Sequence, residues 1–162
     1  MLSACASLQA PALVPGESEP AVIAKLGKPT HVYPDLDESG KPLPSHFLEY
    51  MSGPFGQTTY MAHMDSQNRL LSYEQVLTSA QFSKVEIGKS RREDILRLIG
   101  TPSETSYLAL PKLEVWSYPY KENPVSDSMM HVHFDQNGVV QKMLNGPDLR
   151  RDPDRRGLFG LH

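Results

Sequence analysis

The sequence predicts an α+β protein made of two tandem units, each a short helix packed on a three- to four-stranded antiparallel meander. Three observations predict this fold class: a helix signal that occurs twice, strand-like segments after each helix, and a turn signal at the same place in both halves. A chain of 162 residues suffices for one ordinary domain, or for two subdomains that share a core. We therefore expect one compact body.

The helix signal recurs with the same spacing from a glycine to a serine to an isoleucine. Gly16-Glu17-Ser18 is followed by Ile23, and Gly88-Lys89-Ser90 is followed by Ile95. Around these isoleucines, apolar residues follow the spacings of a helix with one buried side. They are Val22, Ile23 and Leu26 in the first copy, and Ile95, Leu96, Leu98 and Ile99 in the second. Each helix should be short, about two to three turns.

Both ends of each predicted helix are marked in the sequence. Ser18 and Ser90 are suitable N-caps, and Ser90 has the spacing of a capping box with Glu93. Each helix should end at a glycine, which suits a left-handed C-cap, shortly before a proline that prevents its continuation. These ends are Gly27 with Pro29, and Gly100 with Pro102.

The segments after the helices have the composition of strands. We expect strands near 46–51, 57–64 and 69–77, and again near 113–120, 128–134 and 139–144. A fourth, shorter strand in each copy would lie at 30–33 and at 104–108. Asp65-Ser66-Gln67-Asn68 and Asp135-Gln136-Asn137-Gly138 have hairpin-turn chemistry, and Asn-Gly in the second readily adopts positive φ. The pattern leaves open whether the strands form one continuous sheet or two.

These patterns divide the chain into four parts. We expect a lipobox and flexible tether at 1–15, a first unit at 16–80, a second unit at 81–145, and a disordered tail rich in Arg, Asp and Pro at 146–162. The tail arginines are expected to be solvated, with contact to acidic lipid headgroups as the alternative. Within the first unit, Pro34 to Ser45 is predicted to be a mobile surface loop, because it is rich in acidic residues, Gly and Pro.

Composition and charge exclude several classes of protein. A formal net charge of -3 gives no electrostatic footprint for nucleic acid. No stretch approaches the roughly 20 apolar residues of a membrane-spanning helix. The single cysteine, Cys5, rules out an intramolecular disulfide.

The position of Cys5 is more informative than its number. Leu2-Ser3-Ala4-Cys5 has the look of a bacterial lipobox, in which the cysteine thiol takes the diacylglycerol. The charged and apolar regions of a signal peptide do not precede it here. The motif by itself therefore leaves two alternatives, a lipidated Cys5 or an ordinary thiol.

The second copy resembles the SmpA/OmlA family, also called BamE-like lipoproteins, over about residues 86–145. The resemblance depends on the order of a helix, an Ile-Gly-x-Pro end, an aromatic strand with Trp116-Ser117-Tyr118, and a hairpin from Phe134 to Val140 with Gly138 in its turn. The first copy is similar but diverged, since it lacks the tryptophan and the Asn-Gly turn. Tandem copies of such a unit are also similar in architecture to the beta-lactamase inhibitor protein.

The resemblance implies a lipoprotein of the Gram-negative envelope, anchored through Cys5 to the outer membrane and facing the periplasm. Members of the family assist β-barrel assembly, so the implied partners are envelope proteins, with the β-barrel assembly machinery among them. Ala6 lacks the aspartate that typically retains lipoproteins at the inner membrane. The assembly factor of this family has a single unit, whereas this chain is predicted to have two. The partner of the assembly factor is therefore less readily assigned to this chain.

The sequence carries no common catalytic signature, so we predict a binding protein with no enzyme activity and no cofactor. His131 and His133 alternate along one strand and share a face, with His63 in the equivalent place of the first copy. Three imidazoles are a possible zinc set. Without a cysteine or a carboxylate partner nearby, the sequence favours polar pairing on the sheet and predicts no metal site.

Candidate partner-binding residues lie in two comparable stretches. Phe55, Gln57 and Tyr60 belong to a segment that combines flexible glycines with aromatic side chains, and Tyr118 and Tyr120 occupy the matching stretch of the second copy. The competing interpretations are a strand entry for the first stretch and core packing for the second. Two functions follow: a lipid-anchored periplasmic scaffold for outer-membrane protein assembly, or an inhibitor that binds an enzyme through its sheet face.

Overall fold

The computed structural model describes residues 12–53 and 55–152. Two four-stranded antiparallel sheets and three short helices form this part of the chain. The first unit contains α1 (Glu19–Leu26), β1 (His31–Leu36), β2 (Pro42–Met51), β3 (Thr59–Met64) and β4 (Leu70–Gln75). The second unit contains α2 (Ser79–Phe82), α3 (Arg92–Leu98), β5 (Glu104–Leu108), β6 (Leu113–Asn123), β7 (Ser126–Phe134) and β8 (Val140–Pro147).

Each sheet is a meander, with strand orders β1-β2-β3-β4 and β5-β6-β7-β8. The predicted α+β class is therefore confirmed, and the strands form two sheets rather than one. The shorter fourth strands exist in both units as β1 and β5. Both predicted hairpin turns are present, and the left-handed position is taken by Asn68 (φ 56°) in the first and by Gly138 (φ 76°) in the second.

The prediction of a mobile loop from Pro34 to Ser45 is wrong. β1 continues to Leu36 and β2 begins at Pro42, which leaves only a tight turn between them. The Asp37 side chain closes this turn by accepting hydrogen bonds from the Ser39 and Lys41 backbone N–H groups, both at 2.9 Å. The acidic residues, Gly and Pro that suggested a loop are thus the chemistry of one hairpin.

The helix starts also differ from the prediction. Ser18 is at the N-cap of α1, but its side chain makes no capping hydrogen bond. The predicted Ser90–Glu93 capping box is wrong, because α3 starts one residue later. Asp94 Oδ2 accepts from the Arg91 N–H at 2.8 Å, while Ser90 Oγ accepts from the Glu86 N–H at 2.9 Å. Each helix is followed by a glycine of positive φ as predicted, 84° at Gly27 and 96° at Gly100, but the ψ of -174° places Gly27 outside the left-handed helical region that the prediction assumed.

The two units have cores of different composition. In the first unit α1 packs on one face of its sheet over a small, mostly aliphatic core: Val22, Leu48, Ala62, Met64 and Leu70. The second core is larger and rich in aromatic residues: Leu77, Phe82, Ile95, Ile99, Trp116, Tyr118, Tyr120, Val132, Phe134 and Val140. Phe82 comes from α2, which the sequence did not predict.

α3 of the second unit lies beside the first sheet as well as on the second. Ile95 and Ile99 pack into the second core, whereas α3 also approaches β1, and Thr101, just after α3, reaches Glu49 of β2. The first sheet thus has α1 on one face and part of the second unit on the other. This arrangement buries groups that a single helix-and-sheet unit would leave exposed.

The ends of the chain are partly described. The prediction of disorder from 146 onward is wrong for 146–152, since β8 runs to Pro147 and the Asp148 side chain is buried. Leu13, in the predicted tether, packs against the first core. Residues 1–11, with Cys5, and residues 153–162 lie outside the described part of the chain.

Candidate functional site

A buried carboxylate joins the two units. Glu49 of β2 is 0% exposed. Its Oε1 accepts a hydrogen bond from the Thr101 backbone N–H at 2.5 Å, and its Oε2 accepts from the Thr101 hydroxyl at 3.0 Å. Thr101 follows α3, so the carboxylate of one unit satisfies backbone and side-chain donors of the other. A buried charge needs such partners, because an unpaired one is strongly destabilising.

Two residues of β1 complete the environment of Glu49. His31 Nδ1 lies 2.7 Å from Glu49 Oε2, and the Tyr33 hydroxyl donates to the same oxygen at 3.3 Å. Burial, with a further contribution from the Glu49 charge, raises the pKa of Tyr33 to about 12. Tyr33 therefore stays a neutral donor over the whole physiological range. We call His31, Tyr33, Glu49, Gly100 and Thr101 the junction.

Gly100 allows the two units to approach this closely. A Cβ atom added at Gly100 would overlap Glu49 Oε1 and come within 3.1 Å of the Thr59 methyl group. The Gly100 carbonyl in turn accepts a hydrogen bond from the Tyr118 hydroxyl at 2.9 Å. The helix end of the second unit is thus held from both sides, by its own sheet and by the first sheet.

A second contact between the units lies at the loop before β3. Phe55 in this loop is 70% exposed. Gln57 donates from Nε2 to Asp127 Oδ1 of the second unit at 2.7 Å, and the Arg151 guanidinium donates to the Phe55 carbonyl. The loop is therefore held against the second unit while its aromatic ring remains largely open to solvent.

The C-terminal turn supports the same region. The buried Asp148 carboxylate accepts from Arg150 Nε at 2.9 Å and Nη2 at 3.0 Å, while Arg150 Nη1 donates to Glu104 at 2.9 Å. Burial raises the pKa of Asp148, but the hydrogen bonds and charge of Arg150 outweigh it and the net shift is downward. The Arg150 guanidinium also lies 5.9 Å from the centre of the Phe55 ring. We call Phe55, Gln57, Asp127, Arg150 and Arg151 the loop-end surface.

The predicted partner-binding residues fall into two groups. Phe55 and Gln57 belong to the loop-end surface, and Tyr60 is partly exposed on β3, where it stacks on Tyr73 at 5.1 Å. Tyr118 and Tyr120 are each only 1% exposed. Their burial in the second core leaves no side-chain surface for a partner, so the sequence placed them on the wrong side of the sheet.

A cleft of about 440 Å³ also lies between the units. The first sheet contributes Phe47, Met61 and His63 to its lining, and Phe47 stacks on His63 at 4.2 Å. The second unit contributes charged side chains, including Arg97 and Asp94, which pair at 2.6 Å. The charges at its rim are of both signs.

The three histidines of the zinc hypothesis do not converge. His63 is in the first sheet, whereas His131 and His133 are both on β7 of the second. His131 Nδ1 lies 2.7 Å from Ser117 Oγ, and burial lowers the pKa values of both His131 and His133. Over residues 12–53 and 55–152, no group of three or more His, Cys, Asp or Glu side chains could hold a metal ion.

Sequence reasoning missed Glu49 and Asp148. Glu49 lies in the predicted strand 46–51, and the sequence of that strand does not indicate which sheet face would be covered. Asp148 and Arg150 lie in the polar tail that the sequence predicted to be disordered. Their spacing of two residues, which allows the side chain and backbone of Arg150 to bond Asp148, was the available signal.

The described second unit corresponds closely to a known family domain. Residues 74–143 match the family model of the outer membrane protein assembly factor BamE domain. The match extends from β4 into β8, so it includes α2, α3 and the greater part of the second sheet. It supports the predicted BamE-like resemblance for this unit and does not extend over the first.

The BamE match stands alone among the comparisons. No curated protein and no solved structure gives a significant match to the chain. The duplication predicted from the sequence thus remains a prediction, although the structure repeats the order of a helix and four strands. None of the helices within the described residues has the length and apolarity that a membrane span needs.

Proposed function

We propose that this protein is a lipid-anchored binding factor on the periplasmic face of the outer membrane, where it assists the assembly of outer-membrane proteins. The observation that carries the proposal is the match of residues 74–143 to the BamE domain. The buried carboxylates of Glu49 and Asp148 are engaged in contacts that hold the fold together, so their role is structural. We infer a protein without enzymatic activity.

The anchor is assigned to Cys5, on the lipobox-like Leu2-Ser3-Ala4-Cys5 and the BamE-like resemblance. Growing cells that express the full-length gene with an alkyne analogue of palmitate tests it directly. We expect the label on the wild-type protein in the outer-membrane fraction, and none on Cys5→Ser. Equal labelling of both proteins, or labelling of neither, would contradict the anchor.

The partner contact is assigned to the loop-end surface, where an exposed aromatic ring lies on a loop that is held against the second unit. Aromatic side chains and arginine are enriched among residues that dominate protein interfaces. Affinity capture from detergent-solubilised envelopes should recover components of the β-barrel assembly machinery with the wild-type protein.

The capture experiment needs a matched variant. Phe55→Ala should lower recovery of the partner, whereas Ile87→Ala, another exposed apolar residue at 61%, should not. Equal recovery with all three proteins would reject the loop-end surface but not the assembly role. A hydrolase recovered in place of assembly components would favour the alternative function, an enzyme inhibitor. The structure supports that alternative less well, because part of the first sheet face is already taken by the junction.

A further inference from the structure

The edge strand β5 is exposed at every residue, although the Glu104 side chain at its start is paired with Arg150. It is the first strand of the second sheet, and all five residues of Glu104–Leu108 are exposed. Its pairing with β6 is regular, from Glu104 opposite Ser117 to Leu108 opposite Leu113. The strand contains neither proline nor lysine. Proteins commonly use those residues, or bulges, to prevent an edge from pairing with another chain.

The hydrogen bond before β5 shows which backbone groups of the strand face outward. The Ser103 N–H donates to the Ser117 carbonyl at 3.0 Å, so the backbone groups of Ser117 face β5. In an antiparallel pair, residues along a strand alternately direct their N–H and C=O groups to one neighbour and to the other. Glu104, opposite Ser117, therefore faces β6, and Thr105 and Tyr107 direct their backbone groups away from it.

The corresponding strand of the first unit is blocked at one of these positions. The Thr30 N–H donates to the Glu49 carbonyl at 2.7 Å, and His31 lies opposite Glu49, as Glu104 lies opposite Ser117. Counting from these pairs, Pro34 of β1 corresponds to Tyr107 of β5. Proline has no N–H to offer, and the register of β1 also shifts between Pro34 and Leu36.

We propose that β5 is an acceptor edge that binds an extended segment of a partner protein by adding it as a further strand of the second sheet. The side chains indicate the chemistry of that segment. Tyr107, 62% exposed, and Leu108 lie on opposite faces of the sheet because neighbouring residues of a strand alternate. Leu110, 89% exposed, follows in the turn. A segment with apolar side chains on both faces near this end therefore gains contact with β5.

This inference goes beyond the proposed function, because it needs neither the lipid anchor nor the loop-end surface. Strand addition obtains its affinity from main-chain hydrogen bonds and its selectivity from alternate side chains. The ligand class is thus an extended segment with apolar side chains on both faces, rather than a folded surface or a helix.

The test uses the full chain and a short fluorescein-labelled peptide that has valine at two neighbouring positions and threonine elsewhere, with fluorescence anisotropy as the readout. Thr105→Pro and Tyr107→Pro each remove one outward N–H without removing a hydrogen bond to β6. Tyr107→Pro introduces the residue that β1 has at the equivalent position, Pro34. Each should weaken binding about tenfold or more, through the lost hydrogen bond and the blocked approach of the strand. Thr105→Val and Tyr107→Thr keep the N–H and should change affinity by less than the matched proline variants.

Three measurements keep the result interpretable. Ser106→Pro, at a position that faces β6, should destabilise the sheet, whereas thermal melting of the Thr105 and Tyr107 variants should stay close to wild type. Hydrogen exchange should show fast Thr105 and Tyr107 amides that become protected by the peptide. A peptide N-methylated at every residue should not bind, because neither of its edges can then donate a hydrogen bond to β5.

Some outcomes would overturn the inference. Absence of peptide binding to the wild type would do so, as would equal binding by the proline and N-methyl controls. Dimerisation of the chain that Tyr107→Pro abolishes would assign the edge to a second copy instead of a partner protein. Because the assay is independent of Cys5 and Phe55, its failure would leave the proposed assembly role intact, and failed labelling of Cys5 would leave this inference intact.

Discussion

The two units share the order of a helix of two turns and four strands but fill equivalent positions with different chemistry. Phe47 lies opposite His63 in the first sheet, and Val115 lies opposite His133 in the second. Counting two residues on places the buried Glu49 in the position of Ser117. Glu49 accepts hydrogen bonds from the other unit, whereas Ser117 pairs with His131 of its own sheet.

This difference shows how one architecture supports two roles. The first sheet gives part of its outward face to the junction and has a small aliphatic core on its other face. The second sheet has the aromatic core, the BamE match and an open edge. The first unit therefore supports the second and contributes the exposed Phe55, while the second unit has the open edge of β5.

The largest effect is expected from the equivalent core residues Phe134 and Met64, both fully buried. Phe134→Ala should lower the free energy of unfolding by about 3–5 kcal/mol and Met64→Ala by about 2–5 kcal/mol. If the junction makes the units unfold together, the two probes should agree within each variant. The fluorescence of Trp116 and the far-UV circular dichroism of a given variant should then show the same urea midpoint. A Met64→Ala protein that loses circular dichroism while Trp116 stays native would show that the units unfold separately.

The helix-end glycines isolate the cost of the junction. Gly27→Ala places a side chain at φ 84° and ψ -174°, a region almost restricted to glycine, with nothing within 4 Å of its Cβ, which should cost about 1–3 kcal/mol. Gly100→Ala also places a side chain at positive φ, 96°, and in addition overlaps Glu49 Oε1. We expect it to cost about 2 kcal/mol more than Gly27→Ala, because the Thr101–Glu49 hydrogen bonds are displaced. Equal urea midpoints for the two variants would reject close approach at Gly100.

Glu49→Gln tests the charge of the junction with little change in shape. The glutamine amide oxygen can still accept a hydrogen bond from the Thr101 N–H. The glutamine NH₂ group, however, is a donor and faces the Thr101 hydroxyl, Tyr33 or His31, where the carboxylate oxygen accepted a hydrogen bond. We expect a loss of about 1–2 kcal/mol, measured by urea unfolding. Ser117→Ala, the matched change in the second unit, should leave the junction unaffected and provides the control.

The second sheet should also respond to acid through its histidines. Burial lowers the pKa values of His131 and His133 in the folded protein, so the unfolded chain takes up protons first as the pH falls. Stability should be complete above the unfolded pKa of about 6.5 and should decrease as the pH drops below it. A His131→Gln, His133→Gln variant should flatten this decrease, and its difference from wild type at pH 8 measures the packing cost alone. An unchanged slope in the variant would exclude these histidines.

Much of the fold was predictable because it depends on local chemistry. Gly27, Gly100, Asn68 and Gly138 occupy the positive-φ positions that their residue types favour. The strand alternation gave all eight strands within a few residues. The prediction was wrong where one signal had two local solutions, as at Asp37, whose turn chemistry fits a long loop and a tight hairpin equally well.

The candidate site was predicted less well, because it depends on which faces are covered. Tyr118 and Tyr120 alternate along β6 as surface aromatic residues would, and only the packing of α2 and α3 shows that they face the core. The sequence indicated a solvated Asp148, whereas in the structure Arg150 folds back and donates hydrogen bonds to it.

The sequence by itself determined the two helix-and-sheet units, their turns and their helix ends, since these depend on residues close along the chain. The tertiary structure alone decided that Glu49 is buried at the junction, that Phe55 remains outside, and that β5 stays open where Pro34 blocks β1. Burial and edge exposure depend on contacts between residues far apart in sequence; Glu49 and Thr101, for example, are separated by 52 positions.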